Sequence, residues 1–381
     1  MGFNILYVGF FSLPDKDAAA NRVMNNAKAL RECGHNVIFI DEQVDSCYIG
    51  TENSRHVLNE FDVWTTLRPT NIKDYIKKMI SISEIHKVVS FYSNIDVVIA
   101  YNYPAIALMQ LCYYCKKRNI RLVADCTEWY SGKEYKFPKN YLCAFDSFLR
   151  MRILHKRMDG IITISSFLRD YYKRNKNVIE VPPLIDTRES CWNQEEFILD
   201  NNTLNLVYAG NPGKSKENLI LILESIEKSI NKKRICFRII GITEDQFIKV
   251  YPGTEALIKS LDTSVRFLGR LSHDLTIRHI KAADYMVFFR DNNRVSNAGF
   301  STKFVESITC ATSVITSSTG DIEKYINKYK VGLIANSSEE LVNILDKNIA
   351  VLKQRADITG INELFDYRNY IPRFRNWTNN L

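Results

Sequence analysis

Residues 204–230 read LNLVYAGNPGKSKENLILILESIEKSI. Leu204–Ala209 is a short, mainly apolar run ending at a Gly-Asn-Pro-Gly turn signal, the pattern of a strand buried on both faces. A polar, glycine-containing loop follows over Gly210–Asn218, and Leu219–Ile230 then takes up the spacing of an amphipathic helix. Strand, glycine loop and helix make half of a parallel βαβ unit. Downstream the pattern repeats, with strands at Cys236–Ile240, Val265–Leu268, Tyr285–Phe289 and Ser313–Thr316 and with helices from Thr302 and over Asp321–Asn327. Upstream it has already occurred once. Asn4–Phe11 (NILYVGFF) is a strand, a polar loop reaches Asp17, and a helix over Ala18–Cys33 stops at Gly34, the expected C-cap glycine. Strands at Asn36–Ile40, Val97–Tyr101, Arg121–Asp125 and Gly160–Ile164 follow. Helices fall near Asn71–Lys78, over Ile106–Lys117 and from Ser165-Ser166.

Between the two blocks lies VPPLIDTRE (181–189), whose prolines and polar residues suit a hinge. The expectation is an α/β protein of two doubly wound Rossmann-like domains, residues 1–186 and 187–365, facing across an inter-domain cleft. A length of 381 residues suits two domains of ~150–200 residues each. The aromatic, basic tail 366–381 is expected to pack back on the first domain. In such sheets ligands bind outside the carboxyl ends of the strands, so the chemistry belongs to the loops there.

Composition narrows the classes. Apolar residues make up 46% and charged residues 25%, a globular balance. The opening GFNILYVGFF reads as a strand rather than a secretory signal, and no apolar run approaches the ~18–20 residues of a membrane span. The nine cysteines are scattered. Cys112 and Cys115 form a CxxC on a helix without a second pair at zinc spacing, so all are read as reduced cytosolic thiols. A net charge of +8 suits an anionic small molecule, an acidic membrane surface or simply a soluble surface. No nucleic-acid-binding signature accompanies it. The Walker pattern and GxGxxG are both missing from the block openings.

The chemistry concentrates in NAGFSTKFVESITC (297–310), followed by ATSVITSSTGD. A Gly-Phe-Ser-Thr loop runs into a helix with Lys303 in its first turn, where free amides and the positive end of the helix dipole bind phosphate. Ser301 or Thr302 can cap it. Glu306 lies one turn inside, where a carboxylate can hold two vicinal hydroxyls. By itself this also suits an ordinary capped helix with a surface glutamate. The Gly210–Asn218 loop adds Gly210 and Gly213, which allow close backbone approach, and Lys214 and Lys216, which supply countercharge. Arg290 or Arg294 can add a guanidinium fork, or form a structural salt bridge.

GFSTKFVESITCATSVITSSTGDIEKYI (299–326) resembles the donor-binding signature of the family 4 retaining glycosyltransferases, in which two glutamates separated by seven residues bracket a Gly-Phe-Gly loop. The branch with a TKF-VE core, of the capsule and exopolysaccharide type, resembles it best. The resemblance implies the GT-B fold and transfer of a sugar from a nucleotide-diphosphate sugar to a saccharide acceptor with retention of configuration. Glu306 matches the glutamate that binds the donor ribose, and Gly299, Phe300, Ser301 and Thr302 match the loop whose amides hold the diphosphate and sugar. Ala298 stands where the first glutamate belongs. Asn211 occupies the position of an arginine, and Lys214 or Lys216 that of a lysine, which neutralise the leaving diphosphate. Leu271 matches a segment edging the nucleobase. Asn21 and Arg22 match the acceptor-side helix start.

Lys216, Arg294 and Glu128 are the candidate catalytic residues, Glu128 because it follows a strand end on the cleft side. Neither a cofactor nor a metal is implied, and Asp15-x-Asp17 is read as an ordinary loop. Acceptors in this branch are commonly lipid-linked. In Tyr135–Arg157, Phe137, Tyr141, Phe145 and Phe148 interleave with Lys136, Lys139, Arg150, Arg152, Lys156 and Arg157, as in helices that lie on anionic membranes. The same stretch also suits a helix packing its aromatics inward. Two other readings of the chain are a catalytically silent partner subunit and a nucleotide-sugar epimerase.

Overall fold

The computed structural model describes residues 2–44, 54–130, 132, 136–212, 217–353 and 360–381. The chain forms two compact units, one of residues 1–186 with 366–381 and one of residues 187–365.

Among the described residues the first unit forms an eight-stranded sheet. Its strands are β1 (Asn4–Gly9), β2 (Asn36–Gln43), β3 (Arg55–Leu58), β4 (Phe61–Leu67), β5 (Val97–Tyr101), β6 (Arg121–Cys126), β7 (Gly160–Thr163) and β8 (Val178–Glu180). They run in the order β3-β4-β2-β1-β5-β6-β7-β8. Every pairing is parallel except β3 with β4. Burial of β1 and β5 on both faces explains their continuous apolar sequence. The helix Ala18–Glu32 is capped by the Asp17 carboxylate, which accepts from the Ala20 amide at 2.7 Å. It ends at Gly34, whose φ of +89° only glycine adopts easily. The terminal helix Ile371–Asn379 places Phe374 and Trp377 in the core beside that first helix. Trp377 Nε1 donates to the Asn177 carbonyl at 3.1 Å, and Arg368 links Asp186 to Asp366.

The second unit is an all-parallel sheet of β9 (Leu204–Ala209), β10 (Ile235–Ile240), β11 (Val265–Gly269), β12 (Tyr285–Phe288), β13 (Ser313–Thr316) and β14 (Gly332–Ile334). Its order, β11-β10-β9-β12-β13-β14, is the doubly wound arrangement. The order reverses between β9 and β12, and the loops leaving these two strands flank the switch point where ligands of such sheets bind.

β3, β4, β8, β14 and the helix Ser83–Tyr92 had no counterpart in the sequence reading. β3 alternates exposed with half-buried residues, and β8 and β14 have only three residues each, too few to establish a period.

Candidate functional site

The sequence around the switch point of the second unit gathers one cluster. β9 delivers Tyr208, fully buried, and ends at Gly210 with φ +141°. A Cβ on Gly210 would sit 2.7 Å from Lys303 Cε and 2.9 Å from Nζ, so the lysine stem lies directly on this turn. Lys303 belongs to the first turn of the helix Thr302–Thr309. Its ammonium lies 2.8 Å from Glu217 Oε1 and 5.2 Å from the Tyr208 ring centroid. The same Oε1 accepts from Arg290 Nη2 at 2.9 Å and Nε at 3.3 Å, and the Tyr208 hydroxyl donates to Oε2. Burial works to raise the Glu217 carboxyl. The Lys303 and Arg290 charges, with the hydrogen bonds from Lys303 and Tyr208, outweigh it and hold the group at about 2.

Ser301 occupies the N-cap of that helix with an extended φ of −80°, yet its side chain makes no capping bond. The residue is 1% exposed, and its hydroxyl has no hydrogen-bond partner among the described residues. A buried, unsatisfied hydroxyl beside free helix-start amides is costly unless something else bonds to it. Phe300 turns its ring into an aromatic cluster with Phe304, Tyr325 and Phe365, which anchors the loop to the core. Asn297 Oδ1 accepts from the Gly320 amide at 2.8 Å and ties Gly299's loop to the next one. Glu306, one turn into the helix, is half-buried, and burial raises its carboxyl against the His273 and Lys303 charges.

Of the cations named from the sequence, Lys303 and Arg290 are the two that this cluster gathers. Gly213, Lys214 and Lys216 lie outside the described residues. Asn211 is exposed after Gly210, and Leu271 is half-buried before the helix His273–Ala282. Arg294 opens the short helix Arg294–Ala298 at the surface, and Ala298 is wholly buried. Arg290, rather than Arg294, enters the cluster with Lys303. Tyr208 and Glu217 were missed, because nothing local marks a buried carboxylate as the partner of residues 73 and 86 positions away.

In the first unit, Arg22 requires a correction. Its side chain is 2% exposed and grips Asp125 through Nε at 3.0 Å and Nη2 at 2.8 Å, while Nη1 donates to the Val181 carbonyl at 2.8 Å. That guanidinium is spent inside the unit and cannot reach an acceptor. Asn21, its exposed neighbour, keeps that opportunity. Glu128 lies just beyond β6, half-buried, and bonds the Tyr130 hydroxyl, whose pKa is raised chiefly by burial and then by this carboxylate. Asp17 is spent as a helix cap, and among the described residues no group of three His, Cys, Asp or Glu could hold a metal ion.

The helix Lys139–Leu149 turns apolar side chains outward, with Tyr141 69%, Leu142 67% and Phe145 60% exposed, and Phe137 just before it is 79% exposed. Arg150 departs from the basic face. It is buried, donates to the Asn102 carbonyl at 2.9 Å and lies over the Tyr130 ring. Among the described residues no helix is long and apolar enough to cross a membrane.

The model of the group 1 glycosyl transferases matches residues 203–350, and that of glycosyltransferase family 4 matches residues 19–189. No curated protein sequence matches. Among solved structures, a sucrose-phosphate synthase of Thermosynechococcus elongatus is similar with a TM-score of 0.73 at 12% identity, covering 99% of this chain and 98% of that one. HepE of Anabaena, solved with UDP and glucose, is similar over 100% of both chains at 14% identity and a TM-score of 0.67. A glycosyltransferase of Rickettsia africae has a TM-score of 0.66 at 14% identity, over 100% of this chain and 98% of that one. Two Rossmann-like parallel-sheet units are the GT-B architecture. The chain belongs to the family 4, group 1 glycosyltransferases, enzymes of GT-B fold that take a sugar from a nucleotide-sugar donor and transfer it with retention of configuration.

Proposed function

We propose that the second unit seats the diphosphate of the nucleotide sugar at the start of the helix Thr302–Thr309, and that the acceptor is a saccharide, lipid-linked, at an anionic membrane surface. The observation that carries the donor reading is the buried Ser301 hydroxyl, without a partner among the described residues, at a helix start that also bears Lys303, with Arg290 sharing the Glu217 carboxylate. Helix amides, the Ser301 hydroxyl and two cations form a preorganised anion seat. Gly299, Phe300 and Thr302 supply its backbone, and Gly210 and Asn211 border it from the β9 loop. Glu306 accepts from the two ribose hydroxyls, and Leu271 borders the base. A uridine nucleotide is favoured because HepE was solved with UDP and with UDP-glucose.

In the reaction, the bond from the anomeric carbon to the diphosphate oxygen breaks and its electron pair stays on the diphosphate. Lys303 and Arg290 offset that growing charge. The acceptor hydroxyl attacks from the same face and gives its proton to the departing phosphate oxygen, so no protein base is needed. Asn21 and Glu128 orient the acceptor on the first unit.

The lipid-linked acceptor is favoured by the outward aromatics of the helix Lys139–Leu149, set among Lys136, Lys139, Arg152, Lys156 and Arg157. Basic residues near an anionic surface each contribute ~1 kcal/mol. The setting is then the inner face of a cell membrane, in the assembly of surface polysaccharide. A thermal-shift panel of nucleoside diphosphates and their sugars tests the donor seat. UDP and UDP-sugars raise the melting temperature, and a panel without any shift defeats the reading. Flotation with phosphatidylglycerol vesicles at low salt tests the membrane face. Wild type floats and Tyr141→Ser/Phe145→Ser does so less, whereas a wild type that stays at the bottom removes the membrane from the proposal.

A further inference from the structure

Glu217 sits where an anion-binding site has least use for a carboxylate, 2.8 Å from one cation and 2.9 Å from another. Its side chain is 3% exposed, while those of Arg290 and Lys303 are 18% and 12% exposed. Solvent therefore reaches the cations and hardly reaches the carboxylate. The two cations come from separate elements, Arg290 from the loop after β12 and Lys303 from the first turn of the helix Thr302–Thr309. Without an anion between them they would repel, and long cationic side chains left to themselves extend into water. Both converge on a single oxygen, Oε1, while Oε2 is held by the Tyr208 hydroxyl on β9, the strand beside β12. The end of the Lys303 side chain lies against Gly210, where a Cβ would push it aside.

We propose that Glu217 is a positioning residue of the donor site, which holds Arg290 and Lys303 side by side at the switch point so that the pair meets the diphosphate as one preassembled countercharge. It touches the cations and not the substrate. The proposal rests on the donor reading above and adds to it the residue that sets the geometry of the cations. With two cations and one carboxylate the cluster keeps a net charge of +1. The carboxylate stays ionised at every pH at which the protein would be assayed, since it is held at about 2.

The test compares wild type with Glu217→Gln and Glu217→Asp by calorimetric titration of UDP, UMP and uridine, with melting temperature and donor KM and kcat measured alongside. Glu217→Gln keeps the shape of the side chain but no longer attracts two cations. The expected result is UDP affinity lowered by tenfold or more, uridine affinity unchanged, and a donor KM that rises more than kcat falls. Glu217→Asp recovers part of the UDP affinity. A structural staple would instead lower the melting temperature and weaken UDP and uridine alike, which overturns the proposal. So does a Glu217→Gln protein that binds UDP as tightly as wild type or more tightly, because the carboxylate would then only compete with the ligand. If Glu217→Gln does not fold, the ratio of UDP to uridine affinity in Glu217→Asp gives the same decision. A wild type that binds neither UDP nor any other nucleoside diphosphate defeats the donor reading itself.

Discussion

The two units repeat one device with opposite outcomes. In each, a tyrosine of the first strand bonds a carboxylate that also grips an arginine, Tyr7 with Asp125 and Arg22 in one and Tyr208 with Glu217 and Arg290 in the other. The first network is neutral and sealed, its ion pair 2% and 0% exposed and its tyrosine further bonded by Asn26 at 3.2 Å. The second adds Lys303, which makes it net positive, and leaves both cations partly open to solvent. A sealed, balanced network can only hold the sheet to its first helix. An open network with one cation in excess can still gain by meeting an anion.

The largest effect is expected where the network is sealed. Arg22→Met leaves Asp125 charged, buried and unpaired, which costs about 3–5 kcal/mol. Urea unfolding of the first unit should show that loss with or without UDP. A loss under 1 kcal/mol would mean that the pair is not the clamp its burial implies. Lys303→Met should act the other way round. Glu217 keeps Arg290 as a partner, so the melting temperature changes little, while the loss of a charged hydrogen bond weakens UDP about 10- to 100-fold. Should the fold suffer and UDP binding not, the contrast between the two networks is broken.

Glu306 gives a smaller, pH-dependent effect. Burial raises its carboxyl in the folded protein. A raised carboxyl contributes stability that is full below the unfolded value of ~4.3 and is lost as pH rises through the folded value. The ionised form is therefore a burden when no donor is bound. Glu306→Gln should melt above wild type at pH 8, with the gap closing towards pH 4, and should bind UDP more weakly. A gap that is flat across this range would remove burial as the cause.

The smallest effect concerns the surfaces. Among the described residues the second unit exposes only scattered large apolar side chains, Ile198, Ile230, Leu275 and Val351, whereas the first exposes many, including Phe137, Tyr141, Leu142 and Phe145. Scattered ones need no explanation and a contiguous set does. The second unit expressed alone should leave anionic vesicles untouched. If it floats as well as the whole chain, the outward helix of the first unit is not the contact.

Local chemistry was legible. The strands Val97–Tyr101, Leu204–Ala209 and Ser313–Thr316 fall where their apolar runs put them, and the helices at Ala18 and Thr302 begin where polar residues precede apolar spacing, although only Asp17 makes a capping bond. These features depend on neighbours within a few residues, so the sequence carries them whole. Short or half-exposed strands such as β3 and β14 do not complete a period and had to be seen. The candidate site divides in the same way. The loop Gly299–Thr302 and Glu306 stand out because they lie on one helix start. The roles of Arg22 and Glu217 were decided by partners 103, 73 and 86 residues away, brought together by the order of strands in each sheet. Strand order is fixed by burying every apolar face at once, a condition on the whole chain that no local stretch expresses.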